Sequence, residues 1–219
     1  MKLDVSSVWP FLYHGALTTL KITAITAVFG FLLGVLLSLI KISKCRPLVW
    51  FGNFYTSIFR GTPLLVQLCI VHFGLPQLTG MTLTTMQSGV LTFSLNSAAY
   101  ISEIFRGGIN AIDRGQYEAA MSLGVGYRDM MKDIILPQAV KHILPSLVNE
   151  AISLLKESSI LSYIGAVELL RAADQITVLT FRFFEPYLVI AVIYYVLVML
   201  LSMVASWIER WVNRSDRVL

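Results

Sequence analysis

The sequence predicts an all-α, polytopic membrane protein with about five transmembrane spans. Its composition is 56% hydrophobic and only 14% charged, with a mean hydropathy of +0.72. Soluble domains carry about a quarter charged residues, so this balance points to lipid as the solvent. Long stretches also lack any charge: residues 22–40, 61–102 and 186–208 contain no Asp, Glu, Lys or Arg. Finally, the basic residues concentrate in alternate connecting segments, as they do where loops alternate between the two sides of a bilayer.

The spans follow in order within a single domain covering residues 1–219. Residues 1 to about 14 read as a polar lead whose Trp9, Pro10 and Tyr13 suit an interface. The lead lacks the early apolar core and small-residue cleavage site of a signal peptide. Span one, about 17–41, contains 19 uncharged residues between Lys21 and Lys41, enough for about 30 Å of hydrocarbon. Gly30 and Gly34 form a GxxxG in it, which admits close helix contact. Lys41, Lys44 and Arg46 follow. The next 42 uncharged residues hold span two (55–73) and span three (86–109), joined by a turn over 74–85 where Pro76, Gly80 and several threonines cluster. A polar segment, 113–141, separates these from span four (143–164), which Glu150, Lys156 and Glu157 interrupt. A polar loop over 165–185 leads to span five (186–208), with Trp207 and Trp211 at its interface.

Five spans put the termini on opposite sides. One set of connections holds 11 Lys and Arg and the other only Lys2, Arg171 and Arg182, so the 113–141 segment and the C-terminus are expected in the cytoplasm and the N-terminus outside. This distribution explains the net charge of +4 without a nucleic-acid partner. Cys45 and Cys69 have no metal-ligand spacing and read as free thiols. His14, His72 and His142 lie far apart and read as packing or interfacial residues. No catalytic set, metal site or phosphate-binding loop is expected.

The most polar interior stretch, residues 118–137, reads as two short amphipathic helices split by Gly124 and Gly126. The first carries Ala119, Ala120 and Leu123. The second sets Met130, Met131, Ile134 and Ile135 against Arg128, Asp129, Lys132 and Asp133, and Pro137 is expected to end it. Such a paired-helix segment between spans is a docking surface. Within the spans, polar residues are costly and become functional candidates. Span three offers Asn96, Tyr100 and Glu103 on one face; span four offers Asn149, Ser153 and Lys156, with Glu157 and Ser158 adjoining; span two contributes Arg60, Thr62 and Gln67. Glu103 or Glu157 can meet an ammonium group, and Lys156, Arg60, Thr62 or Ser158 a carboxylate. The competing reading pairs Glu103 with Arg106 one turn on. Arg171, Asp174, Arg182 and Glu185 read as a solvated outer face.

Glu118-Ala119-Ala120, Gly124, Ile134 and Leu136-Pro137 match the EAA signature of ABC importer permeases. The stretches 59–67 (FRGTPLLVQ), 97–109 (SAAYISEIFRGGI), 155–159 (LKESS) and 184–187 (FEPY) resemble the permease subunits of polar amino acid ABC importers, the histidine/glutamine/arginine/cystine group, over about residues 15–212. The resemblance implies a type I importer permease fold. It implies translocation of a polar L-amino acid, a basic one such as arginine among the candidates, across a bacterial cytoplasmic membrane by alternating access. It implies two permease copies or a related pair, two ATP-binding subunits that carry ATP and Mg, and an extracytoplasmic amino-acid-binding protein; the chain itself would bind no cofactor and be no enzyme. Glu118, Ala119, Ala120, Leu123, Gly124 and Arg128 would couple to the ATPase, and Thr62, Asn96, Tyr100, Glu103, Lys156, Glu157 and Ser158 match polar positions suited to the solute. Two other classes compete with this one. A secondary transporter would titrate Glu103 or Glu157 and work without ATP, and a membrane enzyme would need a catalytic set that the sequence lacks.

Overall fold

The computed structural model of the chain describes residues 5–212, and every regular element among them is helical. Lys2, Arg214 and Arg217, used above to assign sidedness, lie outside the described residues, as does the side chain of Trp211. The order is α1 (Val5–Ile42), α2 (Arg46–Gly61), α3 (Leu64–Thr79), α4 (Thr85–Asn110), α5 (Arg114–Ser122), α6 (residues 127–157), a 3-10 segment (Ser158–Ile164), α7 (Leu169–Thr180) and α8 (Phe184–Val212). By length and hydropathy, Val8–Ile42 and Phe184–Arg210 can each cross a membrane, and α2 with α3 would make a third crossing as a bent pair. The helix replaces the polar lead expected before residue 14: α1 is already formed at Val5.

α4 is the central element. Its capping box is complete: Thr84 Oγ1 accepts from the Gln87 N–H, and Gln87 Oε1 accepts from the Thr84 N–H. It buries Ser88, Thr92, Ser94, Asn96, Ser97 and Ser102 against its neighbours, which is where polar residues of a bundle helix go. α1 lies along it. A Cβ on Gly30 would fall 2.9 Å from Ser97 Cβ, and one on Gly34 would fall 2.5 Å from Ile101 Cγ2. The GxxxG is thus spent on contact within the chain, between α1 and α4.

Span two is not one straight helix over 55–73. α2 and α3 meet at 104° across Thr62–Pro63. Pro63 has no N–H, so the Phe59 carbonyl loses the donor that a continuous helix would give it. Gln67 Nε2 donates to that carbonyl at 2.9 Å and to Thr62 O at 3.1 Å. Asn96 Nδ2, from α4, donates to Phe59 O at 3.1 Å and to Gln67 Oε1 at 3.0 Å. Both amides are buried. The turn expected over 74–85 shrinks to residues 80–84, because α3 continues through a π-helical turn (Ile70–Gly74) to Thr79 and stops at Gly80, φ +73°.

Two more expectations are corrected. Pro137 does not end the second helix of the polar segment. The chain widens to π-helical bonding over Met130–Ile135, with the Leu136 N–H reaching Met131 O, and this wider turn accommodates the proline ring. The helix then runs on to Glu157, and span four closes as a 3-10 segment to Ile164. The 165–185 loop holds a buried helix, α7. Leu169, Ala172, Ala173 and Ile176 are buried at i, i+3, i+4 and i+7, and Leu169, Ala173 and Ile176 pack with Leu12 of α1 and Ile190 of α8. Its N-cap is Glu168, wholly buried. The carboxylate accepts from the Leu170 and Arg171 N–H groups at 2.8 Å each and from the Tyr194 hydroxyl at 2.9 Å, so both of its oxygens are hydrogen-bonded.

The corner yields a stability prediction. Gln67→Leu keeps the shape but strips a donor from the part-buried carbonyls of Phe59 and Thr62, which costs about 1–3 kcal/mol. Thermal unfolding of the detergent-solubilised chain should show a lower midpoint for Gln67→Leu and no change for Gln77→Leu, an exposed position; equal midpoints would contradict the role given to the amide.

Candidate functional site

Two regions stand out. The first is α5 and its turn. Asp113 caps α5 by accepting from the Gly115 N–H at 2.6 Å. The other end closes with paired bonds: Gly124 N–H to Met121 O at 3.0 Å and Val125 N–H to Ala120 O at 3.0 Å, the Schellman arrangement. It requires the left-handed backbone that Gly124 adopts at φ +75°. Ala120 is 2% exposed and packs with Ile112, Met130, Ile135, Ala139 and Ile143, with Val125, Met131 and Ile134 against them. The second helix therefore buries the residues its periodicity assigned, and Arg128, Asp129, Lys132 and Asp133 are exposed.

Of the three apolar residues expected to form one side of the first helix, only Ala120 turns inward. Ala119 is exposed, Leu123 is 83% exposed, and Met121 and Tyr127 stand out beside them. Buried apolar side chains on this helix would have stabilised only the chain itself; exposed ones are available to another surface. Glu118 and Arg128 are exposed around them. A concavity of about 630 Å³ opens between Ile112, Arg114, Tyr117, Glu118 and Met121. The unit is held to α4 through Gly108, whose missing Cβ would lie 2.3 Å from Ile143 Cγ1.

The second region is the polar seam between α2, α4 and α6. Glu103 receives Lys41 Nζ, Arg106 Nη2 at 2.5 Å and Arg60 Nη1 at 3.7 Å. The i, i+3 pairing with Arg106 is thus realised, with cations from α1 and α2 added. Lys41 also donates to Thr56 Oγ1. Tyr100 lies beneath the Arg60 guanidinium, 5.3 Å from ring centroid to carbon. Asn96 has both amide hydrogens on the corner described above. Thr62 Oγ1 donates to Ile58 O and accepts from Gln67. Ser158 is buried and donates to Leu155 O at 2.7 Å. Of the residues expected around a solute, Asn96, Glu103 and Ser158 are thus engaged by the protein, Lys156 is exposed and Glu157 half-buried.

One group that the sequence reading treated only as an interruption belongs with them. Glu150 accepts from Ser97 Oγ at 2.7 Å and is the charged residue of an otherwise apolar groove of about 350 Å³ lined by Ala27, Phe31, Ile101, Leu147 and Leu154. Glu150 and Glu157 are seven residues apart, two helical turns on one face, and that spacing was legible in the sequence. His72 Nδ1 lies 2.8 Å from Ser88 Oγ, and the described residues contain no cluster of His, Cys, Asp or Glu fit for a metal ion.

Comparison with known proteins gives this geometry a context. The family described as binding-protein-dependent transport system inner membrane component matches residues 28–215. The chain is 50% identical, over 99% of its length and 100% of the relative's, to the arginine transport system permease protein ArtQ of Bacillus subtilis (strain 168). It is 50% identical, over 91% of its length and 92% of the relative's, to the putative glutamine transport system permease protein GlnP of Rickettsia felis. Its fold is similar to the crystal structure of an amino acid ABC transporter with histidines, at a TM-score of 0.90 and 44% identity, covering 96% of this chain and 99% of that one. With its helical bundle, its polar seam and the capped helix presented between α4 and α6, the chain belongs to the family of binding-protein-dependent transport system inner membrane components.

Proposed function

We propose that the chain is the permease subunit of an ATP-driven importer of a polar L-amino acid, working by alternating access in a bacterial cytoplasmic membrane. α5 is the coupling helix, and Leu123, exposed beside a Gly124 turn that fixes its direction, is the observation that carries the assignment. A side chain so apolar and so exposed, on a rigidly capped helix, fits a partner groove. Glu118 and Arg128 orient that contact electrostatically, Ala119 lets the helix approach closely, and Ala120 anchors it from within. The partners are two ATP-binding subunits, which hold ATP and Mg, a second copy or a related permease, and an extracytoplasmic amino-acid-binding protein. The chain binds no cofactor of its own. The N-terminus lies outside, and α5 and the C-terminus face the cytoplasm.

The relatives transport, by their names, arginine and glutamine, which supports an amino acid as the solute. Its ammonium group, or a cationic side chain, would meet Glu157 and Glu150 on α6. Lys156 and Tyr100 are the exposed groups nearest in type to a carboxylate partner, and Thr62, whose hydroxyl is bonded to Ile58 O, belongs to the frame. Asn96, Glu103 and Ser158 act through the frame that holds them.

Three measurements check this reading. With the ATP-binding subunit and binding protein in liposomes, one or a few amino acids should stimulate ATP hydrolysis. Glu118→Lys should lower coupled uptake about tenfold, a loss of ~1.4 kcal/mol of coupling, with the protein still inserted; wild-type uptake would remove α5 from the contact. Glu157→Gln should raise the half-saturating amino acid concentration about tenfold while the ATP-binding subunit still co-purifies, and an unchanged concentration would take Glu157 out of the solute site.

A further inference from the structure

Glu103 is outnumbered. Lys41, Arg60 and Arg106 converge on it from three helices, which leaves two positive charges in excess, and residues 5–110 contain no other Asp or Glu. The three cations are not equivalent. The Lys41 side chain is 5% exposed, whereas those of Arg60 and Arg106 are 45% and 57% exposed. Lys41 therefore neutralises the carboxylate from inside. Arg106 uses Nε and Nη2 on Glu103 Oε2 at 3.0 and 2.5 Å, and Arg60 approaches the same oxygen with Nη1. Two partly exposed guanidinium groups thus converge on one oxygen.

Their depth is fixed by the helices. Lys41 is one residue from the end of the long apolar helix that closes at Ile42, and Arg106 is about one turn from the end of α4 at Asn110. Both helices stop near Lys41 and Arg106, which places these two towards the edge of the hydrocarbon, and Arg60 reaches the same carboxylate from the end of α2. α2 adds an apolar flank. Its Gly52 and Thr56 are buried towards the bundle, while Trp50, Phe51, Phe54 and Ile58 are exposed on the other side, with the Trp50 and Phe54 rings stacked at 5.4 Å. An oxyanion held by a planar fork of donors is what paired guanidinium groups bind best, and an adjoining apolar face calls for a ligand with hydrocarbon attached.

We propose that Arg60 and Arg106 form a binding site for the phosphate of an anionic phospholipid, whose acyl chains run along the Trp50–Ile58 face of α2. The bundle end would then carry a bound lipid that offsets one of the two excess positive charges around Glu103. This goes beyond the transport assignment and does not depend on it.

The test is lipid retention by the purified full-length chain in nanodiscs, counted by native mass spectrometry, with phosphatidylglycerol and phosphatidylcholine of identical acyl chains as probes. Phosphatidylglycerol should be retained about tenfold over phosphatidylcholine. Arg60→Gln and Arg106→Gln should each remove most of that preference, Lys21→Gln should leave it intact, and Arg60→Lys, which keeps the charge without the planar fork, should keep only part of it, separating lost charge from lost folding. Millimolar inorganic phosphate should not strip the lipid. Equal retention of the two lipids, indifference to both arginine substitutions, or displacement by inorganic phosphate would overturn the site, the last by assigning it to free phosphate.

Discussion

A proline without an N–H sits where the chain turns through 104°, and the carbonyl it leaves behind must be satisfied inside a bundle that faces lipid. An unpaired peptide carbonyl in an apolar medium costs several kcal/mol. Gln67 and Asn96 meet it with side-chain amides. The Asn96 contribution comes from α4, so the same bonds that close the corner also pin α2 and α3 to the central helix. The position of Arg60 over Tyr100 and near Glu103 follows from where this corner is held. A side chain that looks like a ligand group in the sequence is here a substitute backbone donor.

The α5 unit, proposed above as the docking surface, is built differently. Its inward face is one small residue, Ala120, and the apolar side of α6; its outward face keeps Met121, Leu123 and Tyr127 in solvent. Burying these would have stabilised the isolated chain, by about 1.5–3 kcal/mol for a residue such as leucine. Leaving them out while fixing the helix at both ends, with Asp113 and with the left-handed Gly124, gives a surface that is rigid but unsatisfied. Through Gly108 and Ile143 it is joined to α4, and through α6 to Glu150 and Glu157. A push on α5 therefore has a continuous packed route to the polar seam.

Much of this was legible in the sequence, and what was not has physical causes. The uncharged runs marked α1, α3, α4 and α8, and the 3.6-residue periodicity of Met130, Met131, Ile134 and Ile135 marked the buried side of α6. α7 was missed because Arg171 and Asp174 drew the segment towards a loop, although Leu169, Ala172, Ala173 and Ile176 carried the helical period. Pro137 was misread because a π-helical turn can absorb a proline, and nothing local in sequence announces that turn. Asn96 and Glu103 were recognised as unusual, but whether a buried polar group faces a solute or a neighbouring helix depends on contacts 29 and 62 residues away, which periodicity does not encode. Glu150 was overlooked although its seven-residue spacing from Glu157 was visible.

The central claim is that α5 is the surface through which this subunit receives force from an ATP-binding partner. The direct measurement is site-specific cross-linking in the assembled complex, with Cys45 and Cys69 replaced by serine and a single cysteine placed at Leu123 or, for comparison, at Leu78, which is equally exposed but lies at the end of α3. The account predicts a cross-link from Leu123→Cys to the ATP-binding subunit that changes in yield when ATP is added, and none from Leu78→Cys. A cross-link to that subunit from position 78, with position 123 silent, would contradict it.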